Sequence, residues 1–276
     1  MTPDDRAGDG AGQADNRAVQ ADDWAGRVDD WAGRVDGRAD DEAERAGERA
    51  GIRARWAEEA VRAVRTPRGD RGERVERVER VVIEGVEFLA TLTLRSDVGV
   101  LALHGGREGG TAELAREVAA RTDATCLVFT QPEGDPVHIP SHRMSVPHCE
   151  TLRDFLARVA LVVSLHGHLR PDASRSIFLG GTDRAAARAM AGALAQLAPS
   201  FEAVAEPDAV PSGLRGLNPR NPVNLTRAGG VQVELPLAAR TARPDRVRGA
   251  PESPPPRVTA ALTDGVRRLG VLRRSR

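Results

Sequence analysis

From about Glu84 onward, short apolar runs alternate with amphipathic stretches, and glycine or proline separates them. This alternation is typical of an α/β domain. Strands are predicted at 88–94, 99–103, 125–129, 160–165, 176–179, 201–204 and 230–235. Helices are predicted at 111–121, 151–158, 182–197 and 258–269, with Thr111 capping the first and Thr182 with Asp183 starting the third. The pattern predicts one α/β domain over residues 81–276, with a mixed, mostly parallel sheet flanked by helices and an irregular connection at 242–257.

The first 80 residues follow a different pattern, in which Gly, Ala, Asp, Glu and Arg dominate and apolar side chains are sparse. The heptapeptide DDWAGRV occurs twice, at 22–28 and 29–35, and three ERV triplets occupy 73–81. The seven-residue step puts Trp24, Val28, Trp31 and Val35 on one side of a helix. We predict an extension that is not part of the core. Two forms remain open for it: a disordered or fraying helical arm, or a helix that docks through the tryptophans.

Composition excludes several classes of function. The 40 cationic residues balance 40 acidic ones, and every cation is an arginine, which excludes a Schiff-base or P-loop lysine. Residues 240–276 are basic but contain no aromatic residue to stack on a base, so nucleic-acid binding is not expected. No apolar run approaches the roughly 18 to 20 residues of a membrane span, and residues 1–20 lack a signal-peptide core. We expect a cytoplasmic monomer with no membrane partner.

All six histidines lie between His104 and His168, and this clustering indicates a metal site. Only two cysteines are present, so a metal would have to use imidazole and carboxylate ligands, which suit zinc. His104 follows the apolar run VGVLAL, and His166 ends the run VALVVSL. Carboxyl ends of parallel strands meet at one edge of a sheet, so the two imidazoles are expected to converge there. His168 is an alternative ligand to His166.

Two carboxylates accompany these histidines. Four glycines in the six residues after His104 allow a tight turn in which Glu108 can share an ion with His104. Glu234 lies in the alternating segment GVQVEL, on the face opposite its valines. A carboxylate in a half-buried strand is costly unless a polar group meets it, so Glu234 is a candidate for the same site, while a solvent-facing position is the alternative.

Five separated motifs together resemble the poly-γ-glutamate hydrolase family of phage and bacterial proteins. They are LALHGGREGGTAELA (101–115), VHIPSH (137–142), VSLHGH (163–168), FLGGTD (178–183) and NPVNLTRAGGVQVELPLAAR (221–240). The resemblance runs from about Glu84 to the final helix and leaves the first 80 residues uncovered. It implies a zinc-carboxypeptidase-like fold of the phosphorylase/hydrolase type.

The resemblance also implies the site. One zinc per chain would be held by His104, Glu108 and His166, with Glu234 as the general base. Substrate contacts are expected from residues in and near these motifs: Arg107, His142, Arg143, Asn221, Asn224, Arg227 and Arg240. Arginine suits a carboxylate-rich product because a guanidinium binds a carboxylate through two parallel hydrogen bonds.

The expected function is therefore zinc-dependent hydrolysis of the γ-glutamyl amide bonds of poly-γ-glutamate. One alternative is a zinc carboxypeptidase or N-acyl-amino-acid deacylase that acts on a small substrate. A second alternative is a phage-related accessory binding protein in which zinc has a structural role.

Overall fold

The computed structural model describes residues 76–132, 135–242 and 253–274. The predictions for residues 1–75, including both tryptophan heptads, and for most of the 242–257 connection lie outside these residues. No helix in the described part of the chain has the length and apolar character needed to cross a membrane.

Eight strands of the described residues form a single sheet. They are β1 (Glu76–Ile83), β2 (Val86–Thr93), β3 (Val98–Ala102), β4 (Thr125–Thr130), β5 (Leu161–Gly167), β6 (Ser176–Gly180), β7 (Glu202–Val204) and β8 (Gly230–Leu235). Their order is β1-β2-β4-β3-β5-β8-β6-β7. The pairs β3–β4, β3–β5, β5–β8 and β6–β7 are parallel, and β1–β2, β2–β4 and β6–β8 are antiparallel. The predicted mixed, mostly parallel sheet is confirmed.

Helices cover both faces of this sheet. They are α1 (Thr111–Thr122), α2 (Glu150–Arg158), α3 (Arg184–Leu197), the short α4 (Leu237–Arg240) and α5 (Pro256–Arg274). Apolar side chains of α1, α3 and α5 pack in one cluster with β3, β5 and β8, whereas α2 packs in a second cluster with β1 and β2. The central strands are therefore buried on both sides, which is why they read as continuous apolar runs.

One of the predicted helix caps is present in the structure, and another is not. Asp183 caps α3 as predicted, because its carboxylate accepts a hydrogen bond from Ala186 N at 2.9 Å. Thr111 does not cap α1. The helix begins after Gly110, whose φ of 88° requires glycine, and the Thr111 hydroxyl donates to Glu108 O at 2.9 Å.

Strand β1 was not predicted, and residues 76–80 of it fall within the segment assigned to the extension. It pairs with β2 along all eight residues and buries Val81 and Ile83. Glu79 accepts hydrogen bonds from the backbone amides of Glu150 and Thr151, at the start of α2. The ERV triplet repeat hides the two-residue alternation of this strand, because it places valine at exposed positions such as Val78 as well as at the buried Val81.

Candidate metal centre

Three central strands bring the predicted ligands to one edge of the sheet. Strands β3, β5 and β8 run parallel, so their carboxyl ends lie side by side. His104 lies two residues after β3, His166 lies near the end of β5, and Glu234 lies near the end of β8. His166 and Glu234 are direct register partners. The convergence expected from the sequence is thus produced by the parallel order of these strands.

His104, Glu108 and His166 form one buried cluster, and it is the group of described residues whose geometry can hold a metal ion. One potential ligand atom from each residue lies within 4.8 Å of the other two. His104 Nδ1 is 3.0 Å from Glu108 Oε1 and 3.2 Å from His166 Nδ1. Glu108 Oε2 accepts a hydrogen bond from Gly167 N at 2.9 Å, which fixes the carboxylate between the two imidazoles.

The opposite nitrogen of each imidazole contacts an oxygen atom, and for His104 this contact sets the tautomer. His104 Nε2 lies 2.8 Å from the backbone carbonyl oxygen of Ile139, and His166 Nε2 lies 2.9 Å from Ser164 Oγ. A carbonyl oxygen only accepts, so His104 Nε2 carries the hydrogen and, in neutral His104, Nδ1 presents a lone pair. Metal-ligating histidines are commonly oriented in this way by hydrogen bonds from their second nitrogen.

The donor set fits a cation. With Nε2 of both rings acting as donors, two imidazole lone pairs and a carboxylate face one another in a space from which water is largely excluded. Such electron-rich atoms repel unless a proton or a cation lies between them. Two imidazole nitrogens and one carboxylate oxygen form the ligand set of a three-ligand zinc site, which leaves a fourth position open.

Electrostatic attraction within the cluster favours the charged forms of Glu108 and His166. Burial alone would raise the pKa of Glu108, but attraction to His104 and His166 outweighs it, so this pKa lies well below its ordinary value. Burial alone would lower the pKa of His166, but attraction to Glu108 outweighs it, so this pKa is raised. Glu108 is therefore ionised at neutral pH, as a metal ligand must be.

Glu234 lies beside this cluster and titrates differently. Burial is the main cause that raises the pKa of Glu234 to about 7, and repulsion from Glu108 adds to it. Attraction to His166, a hydrogen bond from Gln232 and attraction to Arg240 oppose the shift. A carboxyl group with a pKa near neutrality suits proton transfer at neutral pH.

Arg240 is buried beneath the ligands and bridges the two segments that carry them. Its Nη1 donates to Gly109 O at 2.7 Å, next to Glu108. Its guanidinium also lies against the backbone of Gly167, where an added Cβ would come within 2.7 Å of Cζ. Arg240 therefore contacts the neighbours of Glu108 and His166 at the same time.

The other predicted substrate residues divide into two groups. Arg107, Arg143 and Arg227 are exposed and His142 is half-buried. Arg143 forms an ion pair with Glu84. Asn221 and Asn224 are buried within the protein.

The two asparagines make different contacts. Asn221 Nδ2 donates to Gln232 Oε1 at 2.8 Å. Asn224 Nδ2 donates to the backbone oxygens of Gly216 and Asn218, at 2.7 Å and 3.0 Å. Both amide hydrogens of Asn224 are thus used within the protein.

The alternative ligand His168 lies outside the cluster. His168 Nε2 is 2.9 Å from Ser176 O, and its ring packs on Phe178. His166 Nδ1, in contrast, lies 3.2 Å from His104 Nδ1, so His166 is the histidine that faces His104. The geometry therefore favours His166 over His168 as the ligand.

Several residues of the site were not predicted. Ser164 could have been found, because it lies two residues before His166 and therefore on the same face of β5. Gln232 has the same relation to Glu234. The carbonyl of Ile139 had no local signal that placed it here. His138, one of the clustered histidines and a candidate from its loop position, has a ring centroid 4.6 Å from that of His104. They come from a loop that folds back over the sheet edge.

The fold brings a buried His–Glu–His cluster together as a candidate metal site, and comparison with known proteins identifies the family. A model of the poly-gamma-glutamate hydrolase family matches residues 80–248. The chain belongs to this family. The SPbeta prophage-derived UPF0714 protein YoqZ of Bacillus subtilis (strain 168) is 32% identical over 139 residues, which are 49% of this chain and 47% of that protein. The chain spans about half the length of the curated relatives it matches.

Two solved structures have the same fold. A bacteriophage poly-gamma-glutamate hydrolase aligns over 69% of this chain and 91% of its own, with a TM-score of 0.56 and 19% identity. YNDL in a zinc-free apo form aligns over 75% of this chain and 93% of its own, with a TM-score of 0.51 and 25% identity.

Proposed function

We propose that this protein is a zinc-dependent hydrolase that cleaves the γ-glutamyl amide bonds of poly-γ-glutamate, with one zinc ion per chain bound by His104, Glu108 and His166. The observation that carries the proposal is the convergence of three buried lone-pair donors in a member of the poly-gamma-glutamate hydrolase family. The zinc-free apo form in which YNDL has been solved supports zinc as the metal.

Zinc bound by this ligand set supplies Lewis acidity, which polarises a carbonyl oxygen and makes water a stronger acid. Glu234 acts as the general base. It accepts a proton from the attacking water and passes it to the leaving nitrogen, so one C–O bond forms as one C–N bond breaks. The pKa of about 7 allows Glu234 to accept and release this proton near neutral pH.

The substrate carries one free α-carboxylate on every residue, so its recognition requires cations beside the metal site. We assign this role to Arg107, Arg143 and Arg227, with His142 as a further polar contact. Arg107 is adjacent to the ligand Glu108, and all three guanidinium groups are at the surface. Attraction of this kind is screened by salt, because the Debye length falls from about 10 Å at 0.1 M to about 3 Å at 1 M. The KM for the polymer is expected to rise with ionic strength.

The buried candidates take a different role in the proposal. Arg240 and Asn221 hold residues of the site in place, and Asn224 holds the loop around Gly216. Their side chains contact protein groups and are not assigned to substrate.

The test compares wild type with Glu234→Gln on poly-γ-glutamate and on α-linked polyglutamate. Wild type is expected to shorten only the γ-linked polymer. The variant is expected to keep its zinc and lose about 100-fold or more of the rate, which is the usual contribution of general acid–base catalysis. Glu202→Gln, which changes an exposed carboxylate of β7, is the matched control and keeps the wild-type rate.

Three outcomes would contradict the proposal. Equal cleavage of both polymers, or activity confined to small acyl-amino acids, would favour the carboxypeptidase or deacylase alternative. A zinc-loaded protein that hydrolyses none of these substrates would favour the accessory binding protein.

A further inference from the structure

A series of hydrogen bonds between three buried polar side chains leads from a loop to the proposed general base. Gln232 Nε2 donates to Glu234 Oε1 at 2.7 Å, and Asn221 Nδ2 donates to Gln232 Oε1 at 2.8 Å. Each of the three side chains is at most 5% exposed. Gln232 and Glu234 lie on one face of β8, whereas Asn221 begins the short helical turn Pro222–Asn224.

Backbone groups that contact Asn221 and Gln232 fix the direction of these hydrogen bonds. Val223 N, which only donates, lies 3.3 Å from Asn221 Oδ1, so Asn221 must turn its NH2 group toward Gln232. Leu214 O, which only accepts, lies 3.4 Å from Gln232 Nε2. Gln232 therefore must turn its own NH2 group toward Glu234. Without these two anchors, either amide could rotate by 180° and present its oxygen instead.

The loop beside Gln232 is shaped to hold this amide. Gly216 has a φ of +63°, and an added Cβ would lie 2.5 Å from Gln232 Oε1 and 2.6 Å from Cδ. The backbone of this loop therefore approaches the side-chain amide of Gln232 closely. A larger residue there would displace the amide from its present position.

We propose that Gln232, oriented by Asn221, is a positioning residue that holds Glu234 Oε1, so that Oε2 is the oxygen that exchanges the proton during hydrolysis. This inference rests on the proposed role of Glu234 as general base. A carboxylate fixed through one oxygen keeps a single rotamer and presents the other oxygen in a constant direction. Small errors in the position of a catalytic group are costly, so loss of this orientation is expected to lower kcat.

Two substitutions of Asn221 separate this role from a structural one. Asn221→Asp keeps the shape and still accepts from Val223 N, but its carboxylate cannot donate to Gln232. The Gln232 amide then turns its NH2 group toward position 221 and its oxygen toward Glu234. Asn221→Ala only removes the contact, and Leu214 O still favours the original orientation of Gln232. The inference predicts that kcat decreases in the order wild type, Asn221→Ala, Asn221→Asp.

The expected result is a kcat that falls about tenfold or more in Asn221→Asp, with KM within twofold and zinc content unchanged. The matched control is Thr226→Val, which removes another buried hydrogen bond of the same loop, from Thr226 Oγ1 to Gly229 O. This substitution leaves the hydrogen bonds of Asn221, Gln232 and Glu234 in place. Its kcat stays near that of wild type even where its unfolding midpoint falls. All variants are compared at equal folded fraction, measured by circular dichroism.

A second readout does not depend on activity. The side-chain amide resonances of Gln232, identified by their disappearance in Gln232→Glu, are expected to shift in Asn221→Asp and to stay in place in Thr226→Val. Unchanged resonances would overturn the inference.

The kinetic results also test whether Asn221 acts by orienting Gln232 and Glu234. A larger loss in Asn221→Ala than in Asn221→Asp would show that Asn221 acts through packing alone. A rise in KM at constant kcat would make Asn221 a substrate contact, and loss of zinc would make it a support of the metal site. Wild type that cleaves no γ-glutamyl polymer overturns the proposed function itself, whereas active wild type with unimpaired Asn221→Asp overturns only this inference.

Discussion

The hydroxyl of Ser164 provides a test of how the metal ligands are oriented. It lies 2.9 Å from His166 Nε2 and is fully buried. In the tautomer that leaves Nδ1 free to bind metal, this hydroxyl accepts the Nε2 hydrogen. In Ser164→Ala the Nε2 hydrogen loses its partner, and the other tautomer, with a hydrogen on Nδ1 facing Glu108, becomes favoured. That tautomer must lose its hydrogen before His166 can bind a metal ion.

The expected loss of zinc affinity in Ser164→Ala follows from the loss of this one hydrogen bond. Removal of a hydrogen bond to a metal-ligating histidine commonly weakens metal affinity by about 10- to 100-fold, which is about 1.4 to 2.7 kcal/mol. At a free zinc concentration 100 times the wild-type Kd, binding stabilises the wild type by about 2.7 kcal/mol. A variant whose Kd is 30-fold weaker would gain only about 0.9 kcal/mol at the same concentration.

Competition with a chromophoric chelator measures the Kd, and urea unfolding with and without zinc measures the gain in stability. Ser174→Ala, at an exposed serine, is the control and is expected to match wild type in both. If Ser164→Ala binds zinc within about twofold of wild type, the reasoning about the His166 tautomer is wrong.

Four further predictions concern other parts of the molecule. Hydrogen bonds from the start of α2 outweigh partial burial and lower the pKa of Glu79, so its stabilising effect is present above about pH 4.3 and declines as the pH falls through the lowered value. Glu79→Gln is therefore expected to cost about 1 kcal/mol in urea unfolding at pH 7, and a cost that stays constant into acid would refute this. Burial raises the pKa of Cys126 to about 12 and that of Cys149 to about 11, so neither thiol should react with a thiol reagent at pH 8 until urea unfolds the protein; rapid labelling of the native chain would contradict this. Gly181 has a φ of +86°, and an added Cβ would lie 2.2 Å from a backbone oxygen, so Gly181→Ala should lower the thermal midpoint by several degrees, and an unchanged midpoint would contradict the geometry. Arg240→Lys loses the planar contact beneath the ligands and should weaken zinc binding about tenfold by chelator competition, whereas unchanged affinity would exclude a bridging role.

The clustering of His104, Glu108 and His166 could be predicted from the sequence because each lies next to a strong local pattern. The apolar runs before His104 and within β5 indicate buried parallel strands, and parallel strands bring their carboxyl ends to the same edge. The spacing of Glu108 from His104 then depends only on a glycine-rich turn. Topology and local pattern together were sufficient for these three residues.

The remaining features depend on contacts that no local pattern records. Sequence shows that Asn221 and Arg240 are polar residues near a site, but not that their hydrogen-bonding groups contact other parts of the protein. The contacts of Ile139 and His138 with His104 depend on the path of a loop between β4 and α2. Strand β1 was missed because its exposed edge tolerates charged residues, so its composition resembles that of the preceding repeats.

The most direct test of the account is a zinc titration followed by hydrolysis of poly-γ-glutamate. The protein is first treated with a chelator, zinc is added in steps, and the length of the polymer is followed by size-exclusion chromatography. We predict that the rate rises linearly to a plateau at one equivalent of zinc per chain, and that Glu108→Gln gives no such plateau. Full activity after verified removal of zinc, or no hydrolysis with one equivalent bound, would contradict the central claim.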